Sequence, residues 1–150
     1  YLLIEKERKM KKKLLYLFAL PLFVGGLFAC GESKTDAKIL DGKWNIVELR
    51  GEKGEATNQP NMEFNMSDLK LHGNAGCNIF NTSVVLDDAD VSALRINQAA
   101  TTMMACPDME VEGKILKALD EVRAVKAGAN ENEVVLTAED GSTVFLLVKE

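Results

Sequence analysis

Residues 72–80 read HGNAGCNIF and hold the only histidine of the chain, two glycines three apart, and a cysteine five residues after the histidine. Those residue types support four chemistries. The glycines could cradle a phosphate. His72 and Cys77 could form a base–nucleophile pair, or the same two could supply half of a metal site. The run could also be a tight turn with a structural cysteine. Each reading makes its own demand on the rest of the chain.

The phosphate reading fails on surroundings. Gly73-Asn74-Ala75-Gly76 matches the GXXG of a KH domain, but that loop joins helices and needs basic neighbours. Here it follows an apolar-polar-apolar LKL in an acidic body. The lysine of a phosphate-binding loop and the third glycine of a dinucleotide fingerprint are both missing. A catalytic cysteine needs a base and a group to orient it. On an extended strand, residues five apart point to opposite faces. His72, Cys77 and Cys106 could offer three metal ligands, but the chain has no CxxC or HxxxH pair. Thiolate zinc also fits poorly in a secreted single domain. No catalytic residue, metal or cofactor is expected. Three aspartates in DDAD (87–90) lack the glycine and distal glutamate of a calcium loop and read as a solvated turn.

The chain carries 18 basic and 23 acidic residues. Residues 1–29 hold six of the basic and two of the acidic ones, which leaves 12 basic and 21 acidic from Cys30 onward, a net −9. An acidic body without a basic stripe argues against a nucleic-acid partner.

The N-terminal region reads as an address. From Met10, three lysines precede the uncharged stretch Leu14–Phe28, which has the length of a secretory signal and is short for a membrane span. Met10 is the expected start, with residues 1–9 an upstream segment. Leu27-Phe28-Ala29-Cys30 resembles a bacterial lipobox, so residues 10–29 are expected to be a signal peptide and Cys30 the site of lipid attachment. Several acyl chains on one residue anchor a protein stably. Residues 30–38 then form a polar tether. Gly31 lacks the aspartate of inner-membrane retention, which favours the outer membrane, facing the periplasm. With Cys30 lipidated, Cys77 and Cys106 remain as an even pair. In an oxidising compartment the pair favours a disulfide, and two buried reduced thiols are the alternative.

The elements that must position these residues begin near Ile39. KWNIVEL (43–49) reads as a strand with Trp44 and Ile46 on one face. Residues 51–60 read as a loop. Met62, Phe64 and Met66 alternate with polar residues, as do Leu69 and Leu71, before a turn at HGNAG. Ile79, Phe80 and Val84–Leu86 give a strand pair or one bent strand, and Leu94 and Ile96 a further strand. Residues 107–128 predict a helix: Pro107 in the first turn, acidic Asp108, Glu110 and Glu112, a stripe of Val111, Ile115, Leu119 and Val122, and a close at Lys126 and Gly128. Residues 134–148 read as a hairpin turning at EDGS. The fold class is α+β, mostly β.

LDGKW (40–44), PNMEF (60–64), LHGNAGCNIF (71–80) and TMMAC (102–106), followed by a helix with Glu110 or Glu112 ahead of Leu116 and Leu119, resemble the META domain of HslJ-like proteins across residues 39–150. Carried over by position, the motif residues are Trp44, Phe64, Gly73, Gly76, Cys77, Asn78, Thr102, Met104, Ala105 and Cys106. The chain departs from the family after the GCN, where Asn81-Thr82-Ser83-Val84 stands in place of a glycine and an aromatic. The resemblance implies a strongly curved antiparallel sheet, a partial barrel, with one packed helix. It implies small envelope proteins associated with heat shock, antibiotic tolerance, secretion and motility, with no established enzymatic activity. In the turn, the glycines would supply positive φ and close approach, and Asn78 a side-chain cap.

Two functions from different classes follow, with a thiol-dependent enzyme as a third. One is a non-enzymatic, lipid-anchored envelope protein acting by binding, in stress tolerance or envelope integrity, with the membrane and a protein as partners. The other is a carrier for a hydrophobic ligand in a half-barrel cavity lined by Met62, Met66, Met103, Met104 and Met109. Ordinary core packing is the plainer reading of those methionines.

Overall fold

The computed structural model describes residues 33–54, 56–107 and 109–150. The expected signal peptide (10–29), residues 1–9 and Cys30 lie outside the described residues.

Apolar side chains recur every second residue through most of the longer strands, and two exposed two-residue strands complete the sheet. The strands are β1 (Gly42–Leu49), β2 (Glu52–Lys53), β3 (Asn61–Asn65), β4 (Lys70–Asn74), β5 (Ile79–Leu86), β6 (Leu94–Ile96), β7 (Ala100–Thr101), β8 (Ala124–Ala127), β9 (Glu133–Thr137) and β10 (Thr143–Lys149). The one α-helix among the described residues, α1 (Met109–Leu119), lies between β7 and β8. Trp44 and Ile46, Met62 and Phe64, and Leu71 and Phe80 point inward from successive strands. The strand order is β6-β5-β4-β3-β1-β10-β9-β8, all antiparallel. The sheet curls until its edges meet. Ala93 bridges Ala124, the Leu94 amide donates to the Arg123 carbonyl at 3.0 Å, and the Val125 amide donates to the Ser92 carbonyl at 2.9 Å. The result is a nearly closed barrel with a seam between β6 and β8. Its interior is filled by Trp44, Phe64, Phe80, Phe145, Leu136 and Leu147, with Ile115 and Leu119 of α1 in the same core.

The curved sheet with one packed helix agrees with the sequence-based fold class. Four local readings need correction. The loop at 51–60 contains the short β2, which folds back on β1 through Glu48–Lys53 and Leu49–Glu52. Leu69 sits at a turn with φ 53° rather than in a strand. The turn expected at HGNAG starts later, because β4 runs on through His72, Gly73 and Asn74. The helix expected over 107–128 stops at Leu119, and Ala124–Ala127 is a strand instead. The barrel requires that strand. β8 pairs with β9 along Ala124–Thr137 to Ala127–Val134 and forms one side of the seam. Val122 keeps its predicted inward position after the helix has ended. Tertiary pairing overrides a local helical pattern here.

The segment before β1 is part of the fold. Ala37–Leu40 forms a short 3-10 turn capped by Asp36, whose Oδ1 accepts from the Lys38 amide at 2.9 Å. Ala37 and Leu40 are buried, and the Leu40 carbonyl accepts from Trp44 Nε1 at 2.7 Å. The polar stretch read as a tether through residue 38 is therefore held against the body from Lys34. Lys34 pairs with Asp90, the Thr35 hydroxyl oxygen accepts from the Ala127 amide at 2.9 Å, and the Ala37 amide donates to the Val91 carbonyl at 2.8 Å.

Candidate functional site

The motif residues converge where the β4–β5 turn meets the chain leading into α1. The turn is built by Asn74, whose Oδ1 accepts from the Gly76 amide at 2.7 Å, and by the Ala75 amide donating to the Asn78 carbonyl at 3.0 Å. Gly76 sits at φ 107°, a region that favours glycine. Gly73 is needed for a different reason. It lies in β4 under the Phe80 ring, where an added Cβ would stand 2.3 Å from the Asn61 carbonyl oxygen and 2.6 Å from Phe80 Cζ. One glycine serves the turn and the other serves close approach.

Asn78 does not cap that turn. Its side chain reaches across to residues 102–104 and to α1. Oδ1 accepts from the Thr102 hydroxyl at 2.8 Å and from the Met104 amide at 2.7 Å. Nδ2 donates to the Met104 carbonyl at 3.1 Å and to Glu112 Oε1 at 3.0 Å. The Asn78 amide donates to Glu112 Oε2 at 2.7 Å. Both ends of the buried side-chain amide thus carry two bonds each. One residue away, Cys77 and Cys106, 29 positions apart in sequence, form a disulfide with their Cα atoms 6.0 Å apart. Thr102 also accepts from the Ile79 amide at 3.2 Å. Met104 contributes its backbone, and its side chain is exposed, as is Ala105. Trp44 and Phe64 are core residues away from this cluster.

Glu112 is the residue that sequence reasoning misplaced. It reads as an acidic group complementing the helix N-terminus, yet it is 5% exposed and binds Asn78 with both carboxylate oxygens. No ion pair is recorded for it among the described residues. A signal was available: Glu112 stands three and seven residues before Ile115 and Leu119, which puts it on the buried face of α1.

The reactive side chains singled out in the sequence are kept apart. His72 is exposed on β4, with Nδ1 2.7 Å from Asn81 Oδ1, and Cys77 is buried in its disulfide. The five methionines are dispersed too. Met62 is in the core, Met66 is at its margin, and Met103, Met104 and Met109 are exposed.

A cleft of about 550 Å³ opens between the β1–β2 turn and α1. Ile46, Leu49, Pro60, Val111 and Ile115 form its apolar surface, and Glu48, Glu52, Lys53 and Lys114 stand around it. A register shift between Ile46 and Glu48 places Leu49 opposite the buried Phe145, so β1 bends where the cleft begins. Gln59 fixes the opposite wall by donating from Nε2 to the Ile46 carbonyl at 2.7 Å. The volume falls within the usual range for small-molecule sites.

The META domain family model matches residues 37–150, and the chain belongs to that family. Two solved structures share the fold. One is an NMR structure of a protein from Burkholderia xenovorans, 21% identical, covering 75% of this chain and 85% of that one with a TM-score of 0.55. The other is a crystal structure of a DUF4847 family protein from Bacteroides vulgatus ATCC 8482, 15% identical, covering 75% of this chain and 94% of that one with a TM-score of 0.53. None of the curated proteins compared with the chain matches it.

Proposed function

We propose that this META-domain protein is a non-enzymatic, lipid-anchored protein of the cell envelope that acts by binding, in stress or antibiotic tolerance or in envelope integrity. The observation that carries the reading is the state of the motif residues. Asn78, Thr102, Cys77, Cys106 and Glu112 all bond to one another or to nearby backbone, so the most chemically capable groups serve to hold the fold. The lipobox-like sequence ending at Cys30 supports anchoring. A deletion strain challenged with heat, detergent and antibiotics tests the proposal. The intact gene should restore tolerance and Cys30→Ser should not. A strain indistinguishable from wild type under all three challenges refutes it.

A second reading, a carrier of a hydrophobic small molecule, draws support from the cleft beside α1 rather than from the barrel interior. Native mass spectrometry of the detergent-purified protein tests it. An adduct should be present and should be lost in Val111→Glu, and a clean apo mass refutes the carrier.

A further inference from the structure

We infer that the outer face of β3 and β4 is a saccharide-binding site, with one subsite at Asn61, Glu63, His72 and Asn74 and a second on the other side of His72. The site shares no residue with the cleft beside α1 and does not depend on the lipid anchor.

Strand register collects the side chains. Lys43 of β1 stands opposite Glu63 of β3, Glu63 opposite His72 of β4, and His72 opposite Asn81 of β5. Two residues further along each strand, Asn45, Asn61, Asn74 and Ile79 form a second row. Both rows lie on the face opposite the buried Trp44, Met62, Gly73 and Phe80, which alternate with them. The Glu150 amide donates to the Lys43 carbonyl at 3.1 Å and brings a further carboxylate to the end of the first row. Lys43, Asn61, Glu63, His72, Asn74 and Ile79, with Glu150, border a pocket of about 290 Å³. That is the lower limit for small-molecule sites.

Three of these side chains are held at one end by the fold. Asn61 Oδ1 accepts from the Asn74 amide at 3.3 Å, and Asn74 Oδ1 accepts from the Gly76 amide at 2.7 Å. Neither Nδ2 has a recorded partner among the described residues. His72 Nδ1 lies 2.7 Å from Asn81 Oδ1, an oxygen that only accepts, so Nδ1 carries the proton and Nε2 of the neutral ring is an acceptor. Lys43 and Glu63 face each other at 3.9 Å, beyond hydrogen-bond length, so both keep bonding capacity. The pocket therefore sets the donors of Asn61, Asn74 and Lys43 among the acceptors of Glu63, His72 and Glu150. Such a mixture fits hydroxyl groups, each of which donates one bond and accepts others. An anion is disfavoured, because two carboxylates face one ammonium. Among the described residues there is no cluster of three acidic, histidine or cysteine ligands for a metal ion. Ile79 is an exposed apolar side chain at the pocket, enough to cover one face of a sugar ring but not a lipid tail.

A second depression adjoins the first. Lys70, Thr82, Ser83 and Gln98 line it, and it shares His72 and, through Asn81, the bond that orients the imidazole. Two polar subsites on either side of one ring fit consecutive units of a glycan better than a free monosaccharide. Polar groups already fixed by the fold lose little freedom on binding.

Nuclear magnetic resonance of the ¹⁵N-labelled full chain, in a detergent without a sugar headgroup, tests the site. The probes are N-acetylglucosamine and its β-1,4 disaccharide. Both should give saturable shifts at the Asn61 and Asn74 side-chain amides and the His72 ring, with the disaccharide about tenfold tighter. His72→Ala should weaken both sugars. Asn61→Asp keeps the oxygen that holds the Asn74 amide but removes the donor, and should weaken both by about three- to tenfold. Gln98→Ala should weaken the disaccharide alone. High salt should leave all affinities unchanged, since the ligand is neutral. Absence of saturable shifts with either sugar overturns the inference, as do shifts confined to the cleft beside α1. So does an affinity that neither His72→Ala nor Asn61→Asp alters while each melts like wild type. Saturable binding of inorganic phosphate at the same residues would assign the site to anions instead. None of these results touches the envelope reading, which the deletion strain decides.

Discussion

Glu112→Ala should be among the most damaging single substitutions in this protein, although the residue lies in the first turn of a short surface helix. The carboxylate accepts two bonds from Asn78, at 2.7 Å from its backbone amide and 3.0 Å from its side chain. Hydrogen bonds to a charged group contribute about 1.5–3 kcal/mol each, and a buried donor left unpaired costs about 1–3 kcal/mol. Removing the carboxylate leaves both donors of Asn78 facing a small void, so a loss of about 4 kcal/mol is expected. For a domain of this size that lowers Tm by roughly 12–20 °C. Glu112→Gln keeps one acceptor but turns its own amide donors toward those of Asn78, and should lose about half as much. Circular-dichroism melting and urea titration measure both, with Glu110→Gln on the exposed face of α1 as a control that leaves Tm essentially unchanged. A double-mutant cycle with Asn78→Ala should give a coupling of about 2 kcal/mol. The reasoning is refuted if Glu112→Ala melts within a few degrees of wild type, or if the two substitutions are additive.

Opening the Cys77–Cys106 disulfide, by reductant or by Cys77→Ser, should lower unfolding free energy by about 3–4 kcal/mol for a closed loop of this length. Coincident urea midpoints with and without reductant would count against that. Two glycines should respond with opposite sign. Gly73→Ala forces a Cβ into Asn61 and Phe80 and should destabilise by about 2 kcal/mol or more. Gly113→Ala, in open space on α1, should stabilise by about 0.5–1 kcal/mol. Calorimetry of the pair decides, and a stable Gly73→Ala protein would show that the Asn61 backbone and the Phe80 ring can both give way. Asp90 gives a pH signature. The Lys34 ammonium, with Ser92, holds its carboxyl well below the usual range, at about 2 against an ordinary 3.8. Because the folded-state value is depressed, the stabilisation is present above about pH 4 and is lost as pH falls towards 2. Asp90→Asn should flatten the stability profile in that window, and an unchanged acid limb would remove Asp90 from the account.

The sheet was readable because its signal is local. Met62 and Phe64, Leu94 and Ile96, and the two arms around EDGS alternate as strands must, and each lies within one run of the chain. What escaped the sequence depends on distant partners. Val122 continues the helical stripe of Val111, Ile115 and Leu119, so residues 120–127 read as more of the same helix. They end as turn and strand because Thr137 accepts the Arg123 amide at 2.7 Å and β9 offers a full edge. Asn78 reads in sequence as a local turn cap because asparagine commonly serves that role. Asn74 performs it instead, and frees Asn78 to reach residues 24 to 34 positions away. The disulfide was legible by counting cysteines, since setting aside Cys30 of the lipobox-like run leaves two, and each has the other as its default partner. Glu112 was legible in position but not in role, because no pattern within α1 shows that two buried donors wait opposite it.

A barrel that does not close completely has its weakest restraints where ladder hydrogen bonds run out, and both such places here are secured by other means. At the seam, β6 and β8 share a single bridge and two amide bonds, and the 34–40 segment adds an ion pair, two further hydrogen bonds and two buried side chains. At the end of the barrel that carries the β4–β5 turn, residues 102–107 leave the sheet before α1 begins. The disulfide, the four bonds of the Asn78 side chain and the Glu112 carboxylate hold that excursion in place. Apart from Trp44 and Phe64 in the core, the motif residues therefore cluster where the fold would otherwise open, and a structural role of that kind specifies no ligand. Their arrangement also leaves the cleft beside α1 bordered by two independently fixed walls. Gln59 ties one to β1 and Glu112 ties the other to Asn78 at the start of β5, so the cleft surface is preformed. Rigid walls bind with a smaller ordering cost than mobile ones. The residues to vary in search of a ligand are thus Lys53 and Lys114, which line the cleft from outside the core, and then Leu49 and Val111 at the core's margin, rather than the motif itself.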